Sequence, residues 1–399
     1  MLGINRIGEL EKIHTPFWYY DTDLLRKTVA KVSSLAAESS IEVHYAIKAN
    51  AQERLLRIIS SSGIGADCVS GNEVLHAVKC GFAPEKIVFA GVGKTDKEIA
   101  DALEADIFAF NCESLQELYV LDAMASRLST KARVSVRINP NIDANTHKFV
   151  TTGLNDSKFG IGTHEFDALA DLLGRCRHVE FNGLHFHLGS QITDIERVYG
   201  LECKKVNEIV SYFENKGISV HNIDLGGGLG VEYENPDEYP VPDFGLWFRT
   251  ISRHLARRPG QRVHVEPGRS LVAQCGTLFS RVLFVKSGET KTFLIVDAGM
   301  NDMIRPALYG AYHRIENLSA RRRPNLREEQ LYDVVGPVCE SSDVWGTGRV
   351  LPMSVRGDLI AIRSAGAYGQ TMSSRYNLKD FAQVVYSDNL YSARLADEY

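Results

Sequence analysis

The chain has 399 residues, 44% of them hydrophobic and 24% charged, and a formal net charge of -5. That is an ordinary globular composition, long enough for one large domain and a second. The mildly acidic balance lacks the clustered Lys and Arg that a nucleic-acid partner requires. The longest apolar runs, such as Lys86–Ala90 and Thr292–Val296, fall far short of the roughly 20 residues that span a bilayer.

Met1–Thr15 carries Glu9 and Glu11 and lacks a signal-peptide core, so the expectation is cytoplasmic, with no membrane partner. The seven cysteines, Cys68, Cys80, Cys112, Cys176, Cys203, Cys275 and Cys339, are odd in number and include no C-x-x-C pair. This argues against a disulfide framework or a structural zinc site. All but Cys339 are expected to be small buried apolar residues.

From about Ile41 onward, short β-branched runs alternate with helical patterns. The predicted strands are Val43–Ala46, Ala66–Val69, Ile87–Ala90, Ile107–Asn111, Arg133–Asn139, Glu180–His187, His221–Leu225 and Arg262–Glu266. Predicted helices between them are Glu53–Ser61, Asn72–Cys80, Asp96–Glu104, Leu115–Ser126, Glu165–Cys176, Ile195–Lys216 and Val241–Arg258. Eight βα units are the pattern of a parallel (β/α)8 TIM barrel, with an open doubly wound sheet as competitor. After about Cys275 the pattern turns to consecutive strands: Thr277–Lys286, Lys291–Asp297, Leu331–Val335, Asp358–Ser364 and Gln383–Ser387. This reads as a C-terminal β-rich domain. Ser319–Glu329, rich in Arg and Glu, reads as a solvated loop.

In such a barrel, function gathers at the C-terminal strand ends. Lys48 closes the first strand. It is either an ordinary strand-edge Lys or a Schiff-base Lys, since a buried amine loses its proton and attacks carbonyls. His185 and His187 share one strand face. They suit a metal pair, a core residue or a ring stacked on an aromatic cofactor, and no third ligand with metal-like spacing stands nearby in the chain. Ser190 can donate to a phosphate. Gly226, Gly227 and Gly228 after the seventh strand let backbone N–H groups approach a phosphate. Glu266 is either half of a surface pair with Arg269 or the carboxylate that keeps a pyridine nitrogen protonated. Arg305, Tyr309, Cys339, Glu340 and Tyr368 lie in Gly/Pro-marked loops of the β-rich part.

Together these segments resemble the fold type III pyridoxal-phosphate decarboxylases that act on ornithine, arginine and diaminopimelate. So do Gly65-Ala66-Asp67, Val69-Ser70-Gly71, Arg137-Ile138-Asn139-Pro140, Thr152-Gly153 and Ser157-Lys158-Phe159-Gly160. The match runs from Thr15-Pro16 to Tyr376-Asn377. The resemblance implies an alanine-racemase-like architecture: a segment 1–21 packing on the β domain, a cofactor-binding barrel over 22–275 and a β domain (barrel or sandwich) over 276–399.

It also implies pyridoxal 5'-phosphate as cofactor and no metal. Lys48 would hold the cofactor, His187 would stack on its ring and Glu266 would pair with its nitrogen. Ser190, Gly226–Gly228, Gly268 and Arg269 would take its phosphate, and Tyr368 would touch cofactor and substrate. Arg269, Arg305 and Tyr309 would bind the substrate's distal carboxylate, and Glu340 its distal ammonium. Cys339 would donate a proton from the neighbouring subunit of an obligate homodimer with shared active sites.

The substrate so implied is meso-2,6-diaminopimelate, decarboxylated at its D centre to L-lysine. A second zwitterionic end suits two Arg, a Tyr and a Glu. The alternatives are a decarboxylase of ornithine, arginine or carboxynorspermidine, a non-catalytic cofactor-binding regulator, and a racemase, which would need a Tyr base in place of the Cys-Glu loop. Three departures from the family pattern stand out: the loop Gly369–Tyr376 with its Gln370 and Arg375, the insertion Trp345-Gly346-Thr347 expected at the dimer surface, and the short chain.

Overall fold

A computed structural model describes residues 4–142, 158–323 and 328–390. The chain forms two compact units: 26–230 with 242–271, and 1–25 with 231–241 and 272–399. The first is a closed eight-stranded parallel barrel. Its strands are Ile41–Ala46, Gly65–Cys68, Ile87–Phe89, Ala109–Cys112, Ala132–Arg137, Val179–His185, Asn222–Asp224 and Arg262–Val265. The first and eighth strands close the ring with Ile41 opposite Val263, Glu42 opposite His264 and Val43 opposite Val265.

Helices Glu53–Ser60, Gly71–Lys79, Asp96–Glu104, Leu115–Arg127, Phe166–Leu173, Ile195–Asn215 and Phe244–His254 cross between successive strands. Their starts are written locally. Ser70 accepts from the Glu73 N–H at the Gly71–Lys79 helix. Thr95 and Glu98 form a reciprocal capping box on the next helix. Such caps satisfy backbone donors that a helix leaves orphaned. The sixth strand stops at His185, two residues before the expected end, and the fifth stops at Arg137.

The second unit is an eight-stranded, mainly antiparallel sheet. Five of its strands, Gly276–Ser287, Thr292–Val296, Glu329–Val335, Leu359–Ile362 and Gln383–Tyr386, match expectation within a few residues. Three were not foreseen: Phe17–Tyr20, Ile315–Asn317 and Val344–Pro352. Phe17–Tyr20 pairs antiparallel with 276–279 and parallel with 383–386, and all four of its residues are buried. A strand covered on both faces shows no alternation, so period-2 reading passes over it. Phe17 stacks on Phe279 at 4.9 Å within a core that includes Ile7, Leu10, Tyr19, Leu318 and Leu359.

The arginine-rich segment after Leu318 is not a solvated loop where it is described. Ser319–Arg322 is a 3-10 turn. Arg321 pairs with Glu316, Arg322 with Glu11 and Arg323 with Asp358. Trp345 is buried inside the strand Val344–Pro352, where its Nε1 donates to the Ala298 carbonyl at 3.0 Å. It is a core side chain of this unit. Residues 231–241 join this unit rather than the barrel. Tyr233 and Asp237 there bond Arg305 and Arg363.

Candidate active site

The mouth of the barrel collects buried acids around one amine. Asn111 is the last residue but one of the fourth strand, and its Nδ2 donates to Glu266 Oε1 at 3.2 Å. His185 Nε2 lies 3.1 Å from Glu266 Oε2. Glu266 is therefore no surface partner of Arg269. It is buried, and Arg269 instead donates to Ser190 Oγ from Nη2 at 2.9 Å and from Nε at 3.3 Å.

Lys48 sits in the 3-10 turn Ile47–Ala49 just past the first strand. Its Nζ lies 3.5 Å from Asp67 Oδ2, and Asp67 is fully buried. Three carboxylates, Asp67, Asp224 and Glu266, share this space, and like charges so close cannot all ionise. Burial, reinforced by Glu266, pushes Asp67 up to about 8, with Lys48 pulling the other way. Burial and Glu266 likewise raise Asp224 well above the carboxylate range. Burial would raise Glu266 too, but the pull and hydrogen bond of His185, with Lys48, hold it well below that range. The negative charge thus settles on Glu266.

His187 lies past the strand, and its Nδ1 accepts from the Gly227 N–H at 3.1 Å. Burial, then the charges of Lys48 and Arg137, keep its imidazole well below the ordinary histidine range. It is a neutral ring at the mouth.

The glycine turn cannot carry side chains. A Cβ at Gly226 would lie 2.3 Å from the Phe186 carbonyl oxygen, and one at Gly227 would lie 2.1 Å from that of Glu266. Gly226 and Gly228 have φ of +66° and +103°, a backbone region that favours glycine. Tyr199, buried on the Ile195–Asn215 helix, braces the turn by donating to the Gly227 carbonyl at 3.1 Å. Arg137 donates to Glu113 at 2.8 Å, and its guanidinium lies 4.6 Å from the Phe159 ring centre. Glu113 in turn accepts from the Gly160 N–H at 2.8 Å. Thr152, Gly153 and Ser157 lie outside the described residues.

The other predicted residues stand in the sheet unit. Arg305 is buried at the start of the short helix Arg305–Tyr309, and its Nη1 lies 2.9 Å from Tyr233 Oη and 3.1 Å from His313 Nε2. Tyr309 ends that helix and is half-buried. Cys339 and Glu340 are exposed neighbours on one loop. The Cys339 N–H donates to Asn377 Oδ1 at 3.0 Å, and the Tyr376 hydroxyl donates to Glu340. Asp343 ties the loop's base by accepting from the Val338 and Met300 N–H groups, each at 2.7 Å. Tyr368 is half-buried with a positive φ of 55°. The unexpected Gln370 accepts from the Tyr20 hydroxyl at 2.8 Å, and Arg375 lies over the Phe381 ring. Both departures are internal braces of this unit.

Sequence reading missed Asp67, Asn111, Asp224, Tyr199, Tyr233 and His313 as site residues. A charge inside the run Gly65-Ala66-Asp67-Cys68 was the available signal for Asp67. Nothing local marks His313. The absence of a third ligand beside the histidines was a statement about chain spacing, because folding brings Asp224 and Glu266 to His185. Among the cysteines, Cys176 is only half-buried, whereas the other five expected inside are buried.

A family model described as pyridoxal-dependent decarboxylase, pyridoxal binding domain, matches residues 23–273. With the barrel, its amine and its buried carboxylate, that match makes the chain a pyridoxal-dependent decarboxylase. Diaminopimelate decarboxylase of Bacteroides thetaiotaomicron is 49% identical over 98% of this chain and 100% of its own length. That of Aquifex aeolicus is 38% identical over 94% and 87%. The crystal structure of diaminopimelate decarboxylase from Helicobacter pylori complexed with L-lysine superposes with a TM-score of 0.89 at 38% identity, covering 96% of this chain and 94% of that one. The chain belongs to the diaminopimelate decarboxylase family.

The residues present fit pyridoxal phosphate. Asp67 Oδ1, Asn111 Oδ1, His185 Nδ1 and Ser270 Oγ are buried polar atoms with no hydrogen-bond partner among the described residues. Such atoms are rare unless a ligand or water completes them. In the glycine turn the Gly226 N–H donates to Asp224 Oδ1 at 2.8 Å and the Gly227 N–H to His187. Among the described residues no helix is long and apolar enough to cross a membrane.

Proposed function

We infer that the protein removes carbon dioxide from meso-2,6-diaminopimelate to leave L-lysine, the last step of lysine biosynthesis, with pyridoxal 5'-phosphate as cofactor. The observation that carries this reading is the 49% identity to a diaminopimelate decarboxylase across nearly the whole of both chains. When bound, the cofactor supplies an electron sink for the bond to the departing carboxylate.

The protein's part is to bind, orient and move protons. Lys48 Nζ would hold the cofactor covalently and exchange with the substrate's amine. Glu266 would keep a proton on the pyridine nitrogen, a role supported by its retained charge. Neutral His187 would lie against the ring. Ser190, Gly226–Gly228 and the Gly268-Arg269 backbone would take the phosphate, and Tyr368 would add a contact.

Arg269, Arg305 and Tyr309 would read the distal carboxylate and Glu340 the distal ammonium. Cys339 would deliver a proton to the reacting carbon from a second copy of the chain, making the enzyme a homodimer with shared sites. The exposure of Cys339 and Glu340 on a braced loop supports that role. A cytoplasmic location belongs to the same proposal. A substrate without a distal carboxylate would forgo a charge-assisted bond to buried Arg305, which is the proposed source of selectivity.

The test is carbon dioxide release from cofactor-loaded protein offered meso-diaminopimelate, L-ornithine and L-arginine separately. Release from diaminopimelate alone, with lysine formed, is expected. Release from ornithine or arginine would overturn the substrate, and release from none would overturn the activity.

A further inference from the structure

We propose that Glu42, His44 and His264 form a binding site for a divalent transition-metal ion at the floor of the barrel, the end opposite the catalytic mouth. Their donor atoms lie within 4.8 Å of one another. Glu42 and His264 are direct cross-strand partners on the seam that closes the barrel, and His44 is two residues beyond Glu42. Side chains two apart on a strand, with one opposite, share a face.

The two rings have their protons assigned by their neighbours. His44 Nδ1 lies 3.0 Å from the Lys86 carbonyl oxygen, which can only accept, so that nitrogen carries the ring's proton. His264 Nε2 lies 2.9 Å from Asn222 Oδ1. The Asn222 amide cannot be turned over, because its Nδ2 donates to the Asn182 backbone carbonyl at 2.8 Å. His264 Nε2 is therefore also the protonated nitrogen. Each neutral ring has one N–H, and both are spent.

The remaining nitrogens, His44 Nε2 and His264 Nδ1, face each other at 3.0 Å, lone pair to lone pair. Such a contact is relieved by a cation that takes both lone pairs, either a proton on the line between them or a metal ion to one side of it. Burial lowers the proton affinity of both rings, with Arg262 adding to the effect and the nearby glutamates opposing it; at His264, His44 lowers it as well.

The surroundings suit a metal ion. Imidazole ligands typically give their second N–H to a carbonyl or amide oxygen, which fixes tautomer and orientation. Both rings do so here. Glu42 supplies an oxygen 3.9 Å from His264 Nδ1 and is partly exposed, which gives an entry path. Arg262 grips that carboxylate at 2.6 and 2.7 Å, and the two charges offset each other. Two nitrogens and an oxygen with a position left for water match zinc's preferences. Ligation asks the rings to tilt so that their lone pairs converge. The bound ion would clasp the first and eighth strands.

The probe is Zn2+, added to cofactor-loaded, chelator-treated protein in a Cys339→Ser background that removes the exposed thiol. Equilibrium dialysis should find one ion per chain, with at least a tenfold loss of affinity in His264→Gln and in Glu42→Gln. Zinc should raise the melting temperature of the parent and not of the variants. Glu42→Gln changes a partly exposed side chain, so it serves if His264→Gln fails to fold. Substituted Co2+ should show visible bands without sulfur-to-metal charge transfer. Unaltered zinc binding in both variants would overturn the site. So would absence of binding in folded parent protein, and an imidazolium NMR signature at His44 and His264 would then assign the contact to a proton.

Discussion

In the barrel unit the chemistry-bearing groups stand at strand ends, are buried, and hold one another: Asn111 and His185 on Glu266, Asp67 beside Lys48, Arg269 on Ser190. In the sheet unit Cys339 and Glu340 stand in an exposed turn, fixed by Asn377, Tyr376 and Asp343 through backbone and side-chain bonds. Burial makes the first set an electrostatic device. Three acids compete for one negative charge, and the winner is decided by neighbours rather than by solvent. The second set faces water. Under the proposed function the barrel groups would tune the cofactor and the loop would present reactive groups.

That contrast predicts separable failures. Lys48→Ala should lower turnover by about 10^4-fold or more, since covalent attachment and proton transfer are lost together, and should abolish the cofactor's lysine-linked absorbance. A variant that kept the absorbance would break the assignment. Cys339→Ala should cost about 10^2 to 10^4 in kcat while leaving the absorbance intact. Mixing the two inactive variants should restore part of the activity through hybrid dimers, and no recovery after demonstrated subunit exchange would remove the shared site.

Arg305→Ala should raise KM for diaminopimelate by about tenfold to a hundredfold, the worth of one charge-assisted hydrogen bond at roughly 1.5–3 kcal/mol, again with unchanged absorbance. Steady-state kinetics showing an unaltered KM would free Arg305 from substrate recognition.

The smallest effect sharpens the electrostatic half. Asp67 ionises near 3.8 when unperturbed and at about 8 in the folded barrel. Between those values the native state keeps a proton that the unfolded chain has released. The resulting stability is present below about pH 4 and lost as pH rises through about 8. Asp67→Asn should flatten that slope by at most about 1.4 kcal/mol per pH unit. Urea unfolding of the cofactor-free protein from pH 5 to 8 measures it, and an unchanged slope would place the retained proton elsewhere.

The sequence by itself determined the alternation of eight strands and seven helices, the change of character near Cys275, and the residues at strand ends. Those are local facts: hydrophobic period, and glycine, proline and charged residues placed where a strand ends. It left Glu266 open between a surface pair and a buried anion, because burial is not a local property. Folding decided that Glu266 keeps the charge while Asp67 and Asp224 yield it, since that outcome needs groups from the second, seventh and eighth strands at one point in low dielectric. Folding also hid Phe17–Tyr20 between two strands far away in sequence, and buried Trp345 inside the sheet unit. The same reason underlies each case: pairing across long separations sets which face of a short segment meets water, and the period of a four-residue run cannot report it.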